Sequence, residues 1–313
     1  MTARATTEGP AHPDSDEFAV VTEELTKHYG QMTAVDGLNL RVGRGEVYGF
    51  LGPNGAGKTT TLRMLLGLAR PSSGSAMVLG AAPGSPEGVA RLGALLETPG
   101  FYPFLSGRDN LEVMARHSGS PATEIDGLLE EVGLSTRAGD RFAAYSQGMK
   151  QSLGIAAALL GEPDLVILDE PTNGLDPAGM AEMRGFIRRL RHRCTVMLSS
   201  HLMHEVEQTC DRVGIISEGR LVREGTIEEL RGSFMLRVVV HPLAKAEAML
   251  SAMDIVESLG RVDGALWLQT HPDRVAGINR ALVEGGLEVS ELVVEQPSLE
   301  KVFLELTGKG DSR

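Results

Sequence analysis

The chain has 313 residues, enough for one large or two modest domains with a sizeable core. A formal net charge of −12 leaves no basic surplus to neutralise a phosphate backbone, so no nucleic-acid partner is expected. Two cysteines, Cys194 and Cys210, are too few for a metal cluster or a disulfide framework and suit a reducing compartment.

Residues 1–17 are polar, acidic and proline-containing, with no apolar h-region; they read as a disordered leader and not as a signal peptide. From Phe18 short β-rich runs alternate with helical stretches, which predicts an α/β core extending to residue 232. Phe18–Tyr29, Leu38–Val42 and Ala76–Leu79 are expected to form an accessory antiparallel sheet. Val47–Leu51, Leu165–Leu168, Thr195–Ser199 and Val213–Ser217 are the expected core strands. Between Gly88 and Gly161 the pattern turns mainly helical, as an inserted subdomain would. After Arg231-Gly232-Ser233 the character changes, and residues 233–313 read as a small α+β accessory domain. No apolar run approaches the roughly 20 residues needed to cross a bilayer, so any membrane role would come through a partner.

Gly52-Pro53-Asn54-Gly55-Ala56-Gly57-Lys58-Thr59-Thr60 is the most informative stretch. It follows an apolar strand and opens a helix at Leu62-Arg63-Met64-Leu65, the setting that a G-x-x-x-x-G-K-[ST] phosphate loop requires. Its glycines let backbone N–H groups point at an anion, and the helix N-terminus adds to the field. Lys58 would reach the β- and γ-phosphates of ATP, and the Thr59 hydroxyl would ligate Mg²⁺. The run Leu165-Val166-Ile167-Leu168-Asp169-Glu170 delivers two acids to the end of a buried strand. Asp169 can hold the Mg²⁺ shell, and Glu170 can polarise a water for in-line attack on the γ-phosphate.

Three further segments, Tyr145-Ser146-Gln147-Gly148-Met149-Lys150-Gln151, Asp169-Glu170-Pro171-Thr172-Asn173-Gly174-Leu175-Asp176-Pro177 and Leu198-Ser199-Ser200-His201, resemble in order and spacing the motifs of ABC-transporter ATPases. The resemblance spans Phe18 to Gly232. It implies a P-loop NTPase cassette with an accessory antiparallel sheet and a helical subdomain. Tyr29 resembles the aromatic that stacks on adenine. Ser146 and Gly148, placed before a helix, would face ATP held by a second copy in a homodimer. Asp176 resembles the residue that links the two sites, and His201 the switch histidine that contacts the γ-phosphate. Glu97, in Leu96-Glu97-Thr98-Pro99, stands where a glutamine is usual; it is a hard donor for Mg²⁺, and an acid there also adds repulsion near the γ-phosphate.

The signature form Tyr145-Ser146-x-Gly148-Met149 and the segment Pro297-Ser298-Leu299-Glu300-Lys301-Val302-Phe303 look like the drug- and antibiotic-exporting branch. That branch works with separate polytopic membrane permease subunits, which implies a peripheral position on the cytoplasmic side of the membrane. A soluble ABC-type ATPase acting on the ribosome or nucleic acid is the alternative, although such proteins usually carry two cassettes or a coiled-coil insertion. Asp176-Pro177-Ala178-Gly179 mimics a GTPase motif, but the chain has no Asn-Lys-x-Asp guanine reader.

Two further clusters stand out. Phe101-Tyr102-Pro103-Phe104-Leu105 is either a core plug or part of an apolar groove for a helix of the membrane partner. Arg184, Arg188, Arg189, Arg191 and Arg193 are expected to form a solvated helix face, with the last of them favourable at the helix C-terminus.

Overall fold

The computed structural model describes residues 17–96, 100–232, 234–295 and 298–306. The leader apart from Glu17, together with Glu97, Ser233 and Pro297, lies outside the described residues. The chain divides into two compact units, one up to Thr226 and one from Ile227 onward.

In the first unit, β1 (Phe18–Tyr29) turns at Gly30-Gln31 into β2 (Met32–Gly43), and β3 (Val47–Leu51) leads to α1 (Lys58–Leu65). β4 (Ser73–Val78), α2 (Pro86–Val89) and β5 (Leu92–Leu95) precede the helices α3 (Gly107–Ser118), α4 (Glu124–Glu131) and α5 (Gln147–Ala158). Then follow β6 (Leu165–Asp169), α6 (Pro177–Leu190), β7 (Thr195–Ser200), α7 (Met203–Thr209), β8 (Arg212–Ser217) and β9 (Arg220–Thr226).

Among the described residues β2-β1-β4 form an antiparallel sheet, and a six-stranded sheet runs β5-β6-β7-β3-β8-β9. Only β9 is antiparallel to its neighbour there. β3 and β6 are buried at every position, as strands covered on both faces must be. Leu25, Leu38 and Leu40 of the accessory sheet pack with Leu62 and Leu65 of α1 and with Phe50, Ile167 and Met197 of the central strands. The phosphate loop therefore stands on a rigid base.

Local chemistry sets the helix ends. Ser106 and Asp109 form a reciprocal capping box on α3, which stops at Gly119 in the left-handed region. α6 starts with Pro177 after an Asp176 cap and carries Arg188 and Arg189 in its last turn. At Gly93 of β5 a Cβ would stand 1.8 Å from the carbonyl of Ala158, so the end of α5 comes close to β5 only because that residue is glycine. β5, four residues long, lies inside the stretch that reads as helical. The polar pattern of the edge strand β9 gives no strand signal either.

The second unit begins with α8 (Ile227–Arg231) and continues β10 (Met235–His241), α9 (Leu243–Ser251), β11 (Ser258–Val262), β12 (Ala265–Gln269), α10 (Val275–Glu284), β13 (Glu288–Glu295) and α11 (Leu299–Leu306). From β10 to β13 this is a split βαβ arrangement with sheet order β11-β12-β10-β13. Leu236, Val238, Leu266 and Leu268 pack with Leu250 of α9 and with Ile278 and Leu282 of α10. Trp267 of β12 is half-buried, in register between Arg237 and Gly260. No helix among the described residues is long and apolar enough to cross a membrane.

Candidate ATP site

The loop after β3 is pinned where it starts: the Gly52 N–H donates to the carbonyl of Ser200 at 3.2 Å. Pro53, Asn54 and Gly55 form its exposed apex, Ala56 is buried, and Thr60 is half-buried on α1. Gly57 caps α1 at φ 103°, a conformation that side chains rarely adopt, and a Cβ there would meet the Ala34 carbonyl at 2.4 Å. Lys58 is only 6% exposed, and its Nζ donates to the carbonyls of Gly52 at 2.7 Å and Pro53 at 3.3 Å. The same ammonium lies 3.4 Å from Glu170 Oε1. The loop thus carries a desolvated cation with one anionic neighbour, an arrangement suited to a phosphate.

Asp169 ends β6 beside the loop, 5% exposed. Its carboxylate accepts two hydroxyls: Thr59 Oγ1 at 2.8 Å on Oδ2, and Ser199 Oγ on Oδ1. Glu170 follows at φ 49°, in the left-handed region, with its N–H directed at Ser199 Oγ at 3.1 Å and at the Ser199 carbonyl at 3.2 Å. Glu170 Oε2 is 2.8 Å from His201 Nδ1. Lys58, Thr59, Asp169, Glu170, Ser199 and His201 therefore form one connected network. Strand order creates it, because β7 pairs with both β3 and β6 and brings Ser199 opposite Asp169.

Other expected residues stand apart from this network. Tyr29, 46% exposed at the end of β1, has the Lys27 ammonium 4.9 Å from its ring centroid. Lys27 Nζ also donates to the Arg70 carbonyl at 2.6 Å, and the His28 N–H to Ser72 Oγ at 2.9 Å, which ties the end of β1 to the segment leading into β4. With nearly half of its surface exposed, the Tyr29 ring is not packed into the core. Ser146 caps α5, accepting the Met149 N–H at 3.2 Å, and Asp176 caps α6, accepting the Gly179 N–H at 2.8 Å. Gly148 does not precede α5 but occupies its second position, because the Ser146 cap starts the helix immediately. Ser146, Gly148 and Asp176 line one cleft of about 680 Å³, to which neither Lys58 nor Glu170 contributes. Glu97 lies outside the described residues.

The aromatic loop is divided. Phe101 packs edge-on to Phe142 at 5.2 Å between ring centroids, whereas Tyr102 and Phe104 are 50% and 68% exposed. The arginine run is largely solvated, as expected, with Arg188, Arg189, Arg191 and Arg193 exposed and Arg184 half-buried, but three of its members also pair with acids: Arg184 with Glu205 at 2.5 Å, Arg191 with Asp211 at 3.1 Å and Arg193 with Glu131 at 2.7 Å. These acids are distant in sequence, so no local pattern signals the pairs. Burial pushes the Cys194 thiol up to about 11 and the Cys210 thiol higher still.

A family model described as ABC transporter matches residues 35–173, and one described as AAA domain, putative AbiEii toxin, Type IV TA system matches residues 141–207. The bacitracin transport ATP-binding protein BcrA of Bacillus licheniformis is 42% identical, with 93% of this chain and 98% of that protein covered. This chain belongs to the ABC transporter family. The daunorubicin/doxorubicin resistance ATP-binding protein DrrA of Streptomyces peucetius is 39% identical, covering 93% of this chain and 92% of that one. A solved structure described as an ATP-binding subunit of an ABC transporter aligns with a TM-score of 0.62 at 30% identity, over 68% of this chain and 92% of that one. The chain is thus an ABC ATP-binding subunit, an ATPase whose hydrolysis drives transport, and the ribosome-type alternative is not favoured.

Proposed function

We propose that two copies of this ABC subunit close around two ATP molecules and drive export of a drug or antibiotic through separate membrane subunits. The observation that carries the reading is the network joining Lys58, Thr59, Asp169, Glu170 and His201. Lys58 and the loop N–H groups bind and orient the triphosphate. Glu170 takes a proton from the attacking water, and His201 holds the Glu170 carboxylate in place. Mg²⁺ suits the Thr59 hydroxyl and Asp169 carboxylate, a small hard-oxygen set that leaves room for waters and phosphate oxygens. Among the described residues there is no cluster of three or more His, Cys, Asp or Glu that would hold a metal unaided. When bound, that ion supplies positive charge against the phosphates.

The separation of Ser146, Gly148 and Asp176 from Lys58 supports the two-copy arrangement, in which the capped start of α5 faces the ATP of the other subunit. Tyr29 supplies the ring for adenine. The exposed Tyr102 and Phe104 suit a helix of a membrane subunit, which would hold the ATPase on the cytoplasmic face. Relatives named for bacitracin transport and daunorubicin resistance support a bulky antibiotic as cargo.

Glu170→Gln tests the reading. It should abolish steady ATP turnover while an ATP-bound dimer accumulates in size-exclusion chromatography. Near-normal turnover would remove Glu170 from the chemistry.

A further inference from the structure

We propose that Ser199 is a positioning residue for this reaction, setting the aim of Asp169 and the backbone of Glu170 through a single buried hydroxyl. The inference rests on the reading of Asp169 and Glu170 given above. Ser199 is fully buried in β7, opposite Asp169 in the parallel ladder. Its Oγ donates to Asp169 Oδ1 and accepts the Glu170 N–H at 3.1 Å.

A carboxylate rotates readily about its terminal torsion. Holding Oδ1 from behind leaves Oδ2 directed at Thr59, where it accepts that hydroxyl at 2.8 Å. Glu170 presents a different problem. Its φ of 49° is unfavourable for a residue with a side chain and persists only where the surroundings impose it. The Ser199 hydroxyl and carbonyl both receive its N–H, and two residues on, His201 meets its carboxylate at 2.8 Å. The end of β7 therefore grips Glu170 at backbone and side chain at once. Ser200 faces elsewhere, with its hydroxyl accepting the Leu202 N–H at 3.0 Å, so the two adjacent serines are not interchangeable.

Outer-sphere partners of metal-binding carboxylates typically change metal affinity or activity by about 10- to 100-fold when removed. The test measures binding of a fluorescent ATP analogue to the full chain as Mg²⁺ is titrated, alongside ATP turnover. Ser199→Ala should raise the half-saturating Mg²⁺ concentration about tenfold or more and lower kcat by a similar factor. Affinity for the analogue in excess chelator should stay within about twofold, a split that a general loss of structure would not give. A Mg²⁺ midpoint within about twofold of wild type overturns the proposal.

Ser199→Thr keeps the hydroxyl and decides the matter if the alanine variant does not fold. A midpoint within about threefold of wild type supports the assignment, and a shift of tenfold or more overturns it. Asp169→Asn separates this failure from that of the underlying reading: if Asp169→Asn binds the Mg²⁺–nucleotide as wild type does, the role of Asp169 itself is wrong.

Discussion

Glu170 divides its two carboxylate oxygens between two bases, with Oε1 3.4 Å from Lys58 Nζ and Oε2 2.8 Å from His201 Nδ1. The acid that would activate water is thus held on one side by the phosphate loop and on the other by the end of β7. Its orientation follows from both elements together.

His201→Ala should therefore lower kcat by about 10²-fold or more, the range for groups that position or complete acid–base machinery. ATP affinity should change little, since the phosphate loop and Lys58 are untouched. Single-turnover ATPase kinetics beside equilibrium nucleotide binding check the separation; an equal loss in both would place His201 in binding.

Tyr29→Ala should weaken ATP binding by about 1–3 kcal/mol if its half-exposed ring stacks on the base. Lys27, at 4.9 Å from the same ring, contributes less, and Lys27→Met should cost about 0.5–1 kcal/mol. Isothermal titration with ATP against inorganic triphosphate checks this, because only the nucleotide should respond.

Phe101 and Phe104 should part company. Phe101→Ala removes an edge-on contact with Phe142 and should lower stability by about 1–3 kcal/mol. Phe104→Ala, at a largely exposed site, should stay within about 0.5 kcal/mol. Urea unfolding measures the first difference. Recovery with a membrane fraction holding the partner subunits should show the reverse order of sensitivity.

Cys194 and Cys210 are buried, and desolvation raises both thiols above their ordinary value. At pH 7.5 the reactive thiolate is correspondingly scarce in the folded chain. Ellman's reagent should label neither within minutes in native buffer and both in denaturant. Rapid native labelling of either would contradict the packing around it.

Much of the site is legible in the sequence because phosphate chemistry constrains consecutive residues. Gly57 needs a left-handed backbone, Lys58 and Thr59 must follow it, and a buried strand must end in Asp169. Ser199 carries no such mark, although it lies within the segment Leu198-Ser199-Ser200-His201. Its role depends on β7 lying between β3 and β6, and strand order is a property of the assembled sheet. The same limit applies to Arg184 and Glu205, whose pairing needs α6 against α7. Gly148 illustrates a finer limit. A serine cap fixes a helix start to the residue, and periodicity alone resolves it only to within a few positions.

The chain's single tryptophan sits on β12, in the unit after Thr226, while the loop and acids of the ATP site lie before it. Indole fluorescence is thereby a private reporter of the C-terminal unit. Emission excited at the red edge, where tyrosine is silent, would follow the melting of that unit alone. Compared with circular dichroism of the whole chain, it tells whether the two units unfold as one transition or two.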